Sequence, residues 1–211
     1  MAWCGVYAVA MALVEAAVVV YLRALAPAEG PLSVLHTLLP PRILGVEMAR
    51  EVATLVMLLA VAALAGRTGW ERFLFLALAF GVWDIFYYVW LWVFIGWPPS
   101  LLTWDVLFLI PVPWLAPVLA PVIVSAGLVA ASLWILSRGS GESGSTGGLP
   151  RLVWLAAAAG AALIVLSFTL DSTAVLVSGQ PPDFRWPLFA GGGVLGVVAL
   201  GLGTAKGGSR S

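Results

Sequence analysis

Glu47, Arg50, Glu51 and Thr54 recur at spacing i, i+3, i+4, i+7, so a helix would carry them on one stripe. That stripe sets two carboxyls, a guanidinium and a hydroxyl side by side in a run of otherwise apolar residues. Asp84, Tyr87 and Tyr88 share a stripe in the same way further along, and Tyr7, Met11 and Glu15 do so earlier. Carboxyls beside phenol and guanidinium groups suit proton exchange, or a hard cation such as Na⁺, Mg²⁺, Ca²⁺ or Mn²⁺ with oxygen ligands. Asp105, in LLTWDVLFLI, joins this set together with Thr103 if their segment dips toward it, and the dip is the expected arrangement.

Charge arithmetic constrains that chemistry. Glu15, Glu47, Glu51 and Asp84 are four acids against one base at membrane depth, Arg50. An unpaired charge at mid-membrane costs at least ~2.5 to 3.5 kcal/mol. Either some acids are protonated, or a cation is bound, or Arg42 and His36 fold in from the adjoining loop. The bland alternative is interhelical glue, with Arg50 paired to Asp84 or Glu51 and the tyrosines donating to the remaining oxygens. Four acids exceed what that needs.

Several chemistries are excluded. Lys206 is the only lysine and lies in the tail, so no Schiff base can form within the bundle. A single histidine rules out His-rich zinc, copper or bis-His haem sites, and Glu47-Met48-Ala49-Arg50 has Arg where a di-iron motif has His. No Gly-rich phosphate loop or thiol pair is present, and no cofactor is evident beyond a hard cation. Net charge is zero, which leaves no basic footprint for nucleic acid. Cys4 is alone and can form no internal disulfide.

The elements that must position these groups follow from hydropathy. Of the 211 residues 62% are hydrophobic and 9% charged, far below the ~25% charged of an average soluble domain. Segments of ~20 apolar residues span a bilayer as helices. Six are expected: Ala2 to Leu25, Ile43 to Ala65, Phe73 to Ile95, Trp114 to Leu136, Leu152 to Leu170 and Trp186 to Leu202. The first is read as a retained helix, because Glu15 interrupts it and no Lys or Arg precedes it. Leu101 to Ile110, bracketed by Pro98, Pro99 and Pro111, is too short to cross and is expected to be re-entrant or interfacial. Pro113, Pro117 and Pro121 are expected on one face of the fourth helix, where they kink it, with freed carbonyls as cation ligands the alternative.

The expected fold is therefore an all-α integral membrane bundle of six transmembrane helices, with a short re-entrant or interfacial segment between helices 3 and 4. Residues 1–136 form a four-helix core carrying the charged site, 137–150 a flexible cytoplasmic linker, and 151–211 a two-helix packing hairpin with a short tail. Lys and Arg favour one side, at Arg67, Arg72, Arg138, Arg151, Lys206 and Arg210, over the other, at Arg23, Arg42 and Arg185. That places both termini in the cytoplasm, and the expected location is a bacterial or archaeal plasma membrane. At ~1.5 Å per residue, Glu15, Glu51 and Asp84 all lie roughly 12 to 17 Å below the outer boundary. Trp90, Trp92, Trp97, Trp104 and Trp114 are read as an interfacial aromatic belt, with a lipid or quinone groove as the rival. Asp171, Asp183 and Arg185 are read as loop chemistry.

Three functions fit. The first binds or transports a proton or hard cation, alone or coupled to a second solute, at Glu15, Glu47, Arg50, Glu51, Asp84, Tyr87, Tyr88 and Asp105. The second is a membrane enzyme acting on a lipid or isoprenoid by carboxyl acid/base chemistry. The third is an accessory subunit of a larger membrane complex. Expected partners are membrane lipid and either a membrane protein or a second copy of the chain, with no nucleic acid.

Overall fold

A computed structural model describes residues 1–25, 41–138, 151–172, 174–175 and 183–207. His36 with its loop, most of the Gly/Ser linker, part of the last loop, and Arg210 lie outside the described residues. The structure is mostly helical: α1 (Ala2–Leu25), α2 (Pro41–Ala65), α3 (Gly69–Ile95), α4 (Leu119–Ser137), α5 (Arg151–Thr169) and α6 (Trp186–Gly207). All six are long and apolar enough to cross a membrane. α3 is the most enclosed and packs against α1, α2 and α4, while α5 packs chiefly on α6.

Local chemistry fixes the boundaries. α3 starts four residues before the expected Phe73 because Thr68 caps it, its hydroxyl accepting from the Glu71 N–H at 3.1 Å. Glu71 reaches back to the Arg67 N–H at 2.7 Å, closing a capping-box-like turn. Gly96, with φ 64°, ends the helix in the left-handed conformation that glycine adopts without steric cost.

Glycine also sets the closest helix approaches. A Cβ on Gly160 of α5 would stand 2.8 Å from the Gly192 carbonyl of α6, and one on Gly192 would stand 2.7 Å from the Gly160 carbonyl. The two backbones therefore touch, as small residues allow.

Two expectations are corrected here. The chain is not all-α: β1 (Trp104–Phe108) and β2 (Trp114–Pro117) pair antiparallel in a two-stranded hairpin, with Trp104 opposite Pro117 and Phe108 opposite Trp114. The fourth helix begins at Leu119 rather than Trp114, so Pro113, Pro117 and Pro121 do not share a helix face. Pro113 precedes β2 and its carbonyl accepts from the Ser172 hydroxyl; Pro117 ends β2. Pro121 sits in the first turn of α4, where the missing N–H breaks no bond.

The hairpin enters the bundle. Phe108 stacks on Phe80, with ring centroids 6.3 Å apart, and lies 6.2 Å from the Trp83 ring. Phe80 precedes the end of α3 by fifteen residues, roughly 22 Å at ~1.5 Å per residue, so the strand reaches the middle of that helix. The register of the hairpin shifts between Val106 and Phe108, an irregularity of the kind that bends a strand locally.

The expected belt is divided by the same geometry. Trp92 is exposed, Trp90 donates to the Val9 carbonyl at 3.1 Å, and Trp114 packs between Phe108 and Phe168.

Candidate functional site

The polar stripes of α1, α2 and α3 turn toward one another at the hairpin end of the bundle, and β1 closes the space between them. They enclose a cavity of about 60 Å³. Glu15, Glu47, Arg50 and Glu51 line it from α1 and α2, and Asp84, Tyr87, Tyr88 and Asp105 from α3 and β1. All eight candidate site residues thus border one space, seven of them chosen by helical spacing and Asp105 by the expected dip of its segment. Tyr7 and Met11, which share the Glu15 stripe, do not line it. The five carboxylates are each between 4% and 8% exposed.

Arg50 is the hub of one half. Its guanidinium pairs with Glu15 across the α1–α2 interface, and both Nε and Nη2 reach Glu47 Oε2, at 2.8 and 2.7 Å. The Thr54 hydroxyl, one turn along α2, contacts Glu15 Oε1 and also lies 3.0 Å from the Arg50 carbonyl oxygen. Arg50 is therefore paired with neither Asp84 nor Glu51, as the interhelical-glue arrangement would have it.

Glu51 has a different task. Both of its carboxylate oxygens accept from the Leu109 N–H, at 2.9 and 3.0 Å. Leu109 follows β1 and is buried, and a buried backbone N–H outside regular pairing needs an internal partner. The acid supplies it.

Asp84 and Asp105 form the other half. Ser125 of α4 donates to Asp84 Oδ2 at 2.8 Å, and Tyr88 donates to Asp105 Oδ2 at 3.2 Å. The two carboxyls are near enough to act on each other's charge. Arg23, whose guanidinium lies 3.9 Å over the Trp97 ring, is near enough to act on Asp105. Thr103 does not join the site: its side chain accepts from the Ser100 N–H at 3.3 Å in the turn before β1.

Sequence reasoning placed Thr54 on the right stripe without giving it a role, and it missed Ser125 altogether. Thr54 had a signal in its spacing. Ser125 had none, because its link to Asp84 depends on how closely two helices approach. Among the described residues no three His, Cys, Asp or Glu side chains form a set able to hold a metal ion.

Asp171 and Arg185 stand apart from the cavity. Arg185 Nε and Nη2 donate to the two oxygens of Asp171 at 2.7 and 2.8 Å, joining the end of α5 to the start of α6. This bidentate contact holds the Asp171 carboxyl below its usual range.

The chain matches no protein-family model, no curated protein and no solved structure.

Proposed function

We propose that the chain is an integral membrane protein whose carboxylate cavity, in the outer half of the bundle, binds or transports a proton or a hard cation, alone or coupled to a second solute. The observation that carries this reading is the excess of acid: five carboxyls border a cavity in which Arg50 pairs with only two of them. Glu51, Asp84 and Asp105 face neutral donors instead. Groups of that kind bind a proton or a cation at less cost than they remain charged and unpaired in a low-dielectric interior.

Six apolar helices support the membrane setting, and the excess of Arg at the end opposite the hairpin supports cytoplasmic termini. The cavity volume of about 60 Å³ suits water and ions. Sites for drug-sized organic molecules run to ~300 Å³ or more, so the lipid-enzyme reading draws no support from the site.

The test is thermal stability of the purified protein in detergent, across roughly pH 4 to 9 and a panel of Na⁺, K⁺, Mg²⁺, Ca²⁺ and Mn²⁺, for wild type and Asp84→Asn. A proton- or cation-linked rise in wild type that disappears in the variant is expected. A flat response in both would discard the site and favour the accessory-subunit reading.

A further inference from the structure

Three of the five cavity carboxyls have a hydroxyl from another element as partner. Glu15 of α1 meets Thr54 of α2, Asp84 of α3 meets Ser125 of α4, and Asp105 of β1 meets Tyr88 of α3. A hydroxyl carries one donor and two acceptor positions, and its hydrogen turns to suit the neighbour. It donates to a carboxylate, and after a half-turn it accepts from a carboxylic acid at the same heavy-atom distance. Such a pair stays satisfied in both protonation states with no movement of the backbone.

Thr54 shows where its hydrogen goes. With Glu15 ionised, the hydroxyl donates to Glu15; with Glu15 protonated, it accepts and donates instead to the Arg50 carbonyl, 3.0 Å away. Protonation of Glu15 also ends its charge pairing with Arg50, which keeps its two contacts with Glu47. A metal ion asks for the reverse arrangement, several carboxylate oxygens converging on one point. Here the acids are spread over three helices and a strand, and among the described residues no three of them form a set able to hold a metal ion.

We infer that the ion exchanged at this site is the proton, and that Thr54, Ser125 and Tyr88 are positioning residues that let Glu15, Asp84 and Asp105 hold or release it. This rests on the proposed carboxylate site and names its ion. The remaining charged or titratable neighbours stay fixed: Glu47 on Arg50, Glu51 on the Leu109 N–H, and Arg23 on Trp97. Tyr87 borders the same space from α3. In each exchange the carboxyl O–H breaks, the proton passes to water or a buffer base, and the hydroxyl turns without losing its own hydrogen.

Infrared difference spectroscopy of the protein in lipid vesicles, stepped between roughly pH 9 and pH 4, tests this on wild type, Thr54→Val, Ser125→Ala and Tyr88→Phe. Acidification is expected to raise carboxylic-acid C=O bands in wild type. Each hydroxyl deletion should move one band to higher frequency, as its acid loses a partner, and Asp84→Asn should delete the band that Ser125→Ala moves. Added Na⁺, Ca²⁺ or Mn²⁺ should leave the bands unchanged. Bands that no hydroxyl deletion moves, or bands bleached by a metal ion at constant pH, would overturn the inference and leave the carboxylate site standing. Absence of any acid band together with no metal response would remove the site itself. Thr54→Ser, which keeps the hydroxyl, should match wild type, and its failure to do so would count against the role given to Thr54.

Discussion

Ser125 Oγ donates to Asp84 Oδ2 at 2.8 Å across the α3–α4 interface, and the contact depends on Gly81, one turn earlier on the same face of α3. A Cβ on Gly81 would stand 2.7 Å from the Ser125 carbonyl oxygen and 2.8 Å from Val129 Cγ2. Glycine there lets α4 lie directly on α3, so that the short serine side chain spans the remaining gap. The acid of the site and the absent side chain that admits its partner belong to one design.

Gly81→Ala is therefore expected to destabilise the protein by about 1 to 3 kcal/mol, the usual cost of overpacking. It should also lengthen the Ser125 to Asp84 contact. Ser125→Ala, which leaves the helices in place, should cost less in melting temperature yet disturb the Asp84 carboxyl band more cleanly. Thermal melts of both variants, read beside their infrared spectra, separate packing from hydrogen bonding. Equal melting temperatures for Gly81→Ala and wild type would show that α4 does not lean on Gly81.

The contrast between Glu51 and Ser125 shows how far the residue pattern reached. Helical spacing put Glu47, Arg50, Glu51 and Thr54 on one stripe, and the structure turns that stripe inward. Depth counted along three separate helices brought Glu15, Glu51 and Asp84 to one level, since a straight helix converts residue number into distance. The hairpin was not legible in the same way. Trp114 to Pro117 is as apolar as the helix it precedes, and buried strand and helix look alike in a short apolar run. Pro111 and Pro113 both lie between the two strands, yet Pro111 was read as the bracket of a short segment and Pro113 as part of a helix face rather than as a turn between strands. Partners such as Ser125 are set by helix approach, a tertiary quantity with no local pattern.

The contact between Asp171 and Arg185 gives a pH dependence of definite sign. Arg185 holds the folded-state carboxyl below its unfolded value near ~3.9. A depressed folded value contributes stability that is complete above the unfolded pKa and is lost as pH falls through the folded one. Asp171→Asn should therefore melt slightly below wild type at neutral pH, and the difference should shrink only under strongly acid conditions. The pair is exposed, so the effect is small and should weaken further in high salt. A difference that grows on acidification would contradict this assignment.

Arg50 joins Glu15 and Glu47, and its removal strands both. Breaking a buried ion pair from one side costs ~3 to 5 kcal/mol, and the 26% exposure of the Arg50 side chain should place Arg50→Ala toward the lower end. Removing the whole network is a different matter. Arg50→Met combined with Glu15→Gln and Glu47→Gln leaves no uncompensated charge and should recover most of the lost stability, though not the proton response of Glu15. If the triple variant melts as low as Arg50→Ala, the loss comes from packing of the Arg50 stem rather than from stranded charge.

Glu51 separates anchoring from ion exchange, because both of its oxygens face the Leu109 N–H. Glu51→Gln keeps one carbonyl acceptor for that amide and removes the charge, so the hairpin should stay seated and the melting temperature should change little. Glu51→Ala leaves a buried N–H without an acceptor, which costs ~1 to 3 kcal/mol. The loss is local: amide hydrogen exchange should speed up at Leu109 and through β1, while the α5–α6 pair keeps its protection. The two variants together decide whether this acid serves as anchor or as proton carrier. Near-normal stability and proton response in Glu51→Gln, with faster exchange confined to Glu51→Ala, would assign it to the hairpin. Loss of the proton response in Glu51→Gln at unchanged stability would instead place Glu51 among the exchanging carboxyls, alongside Glu15, Asp84 and Asp105.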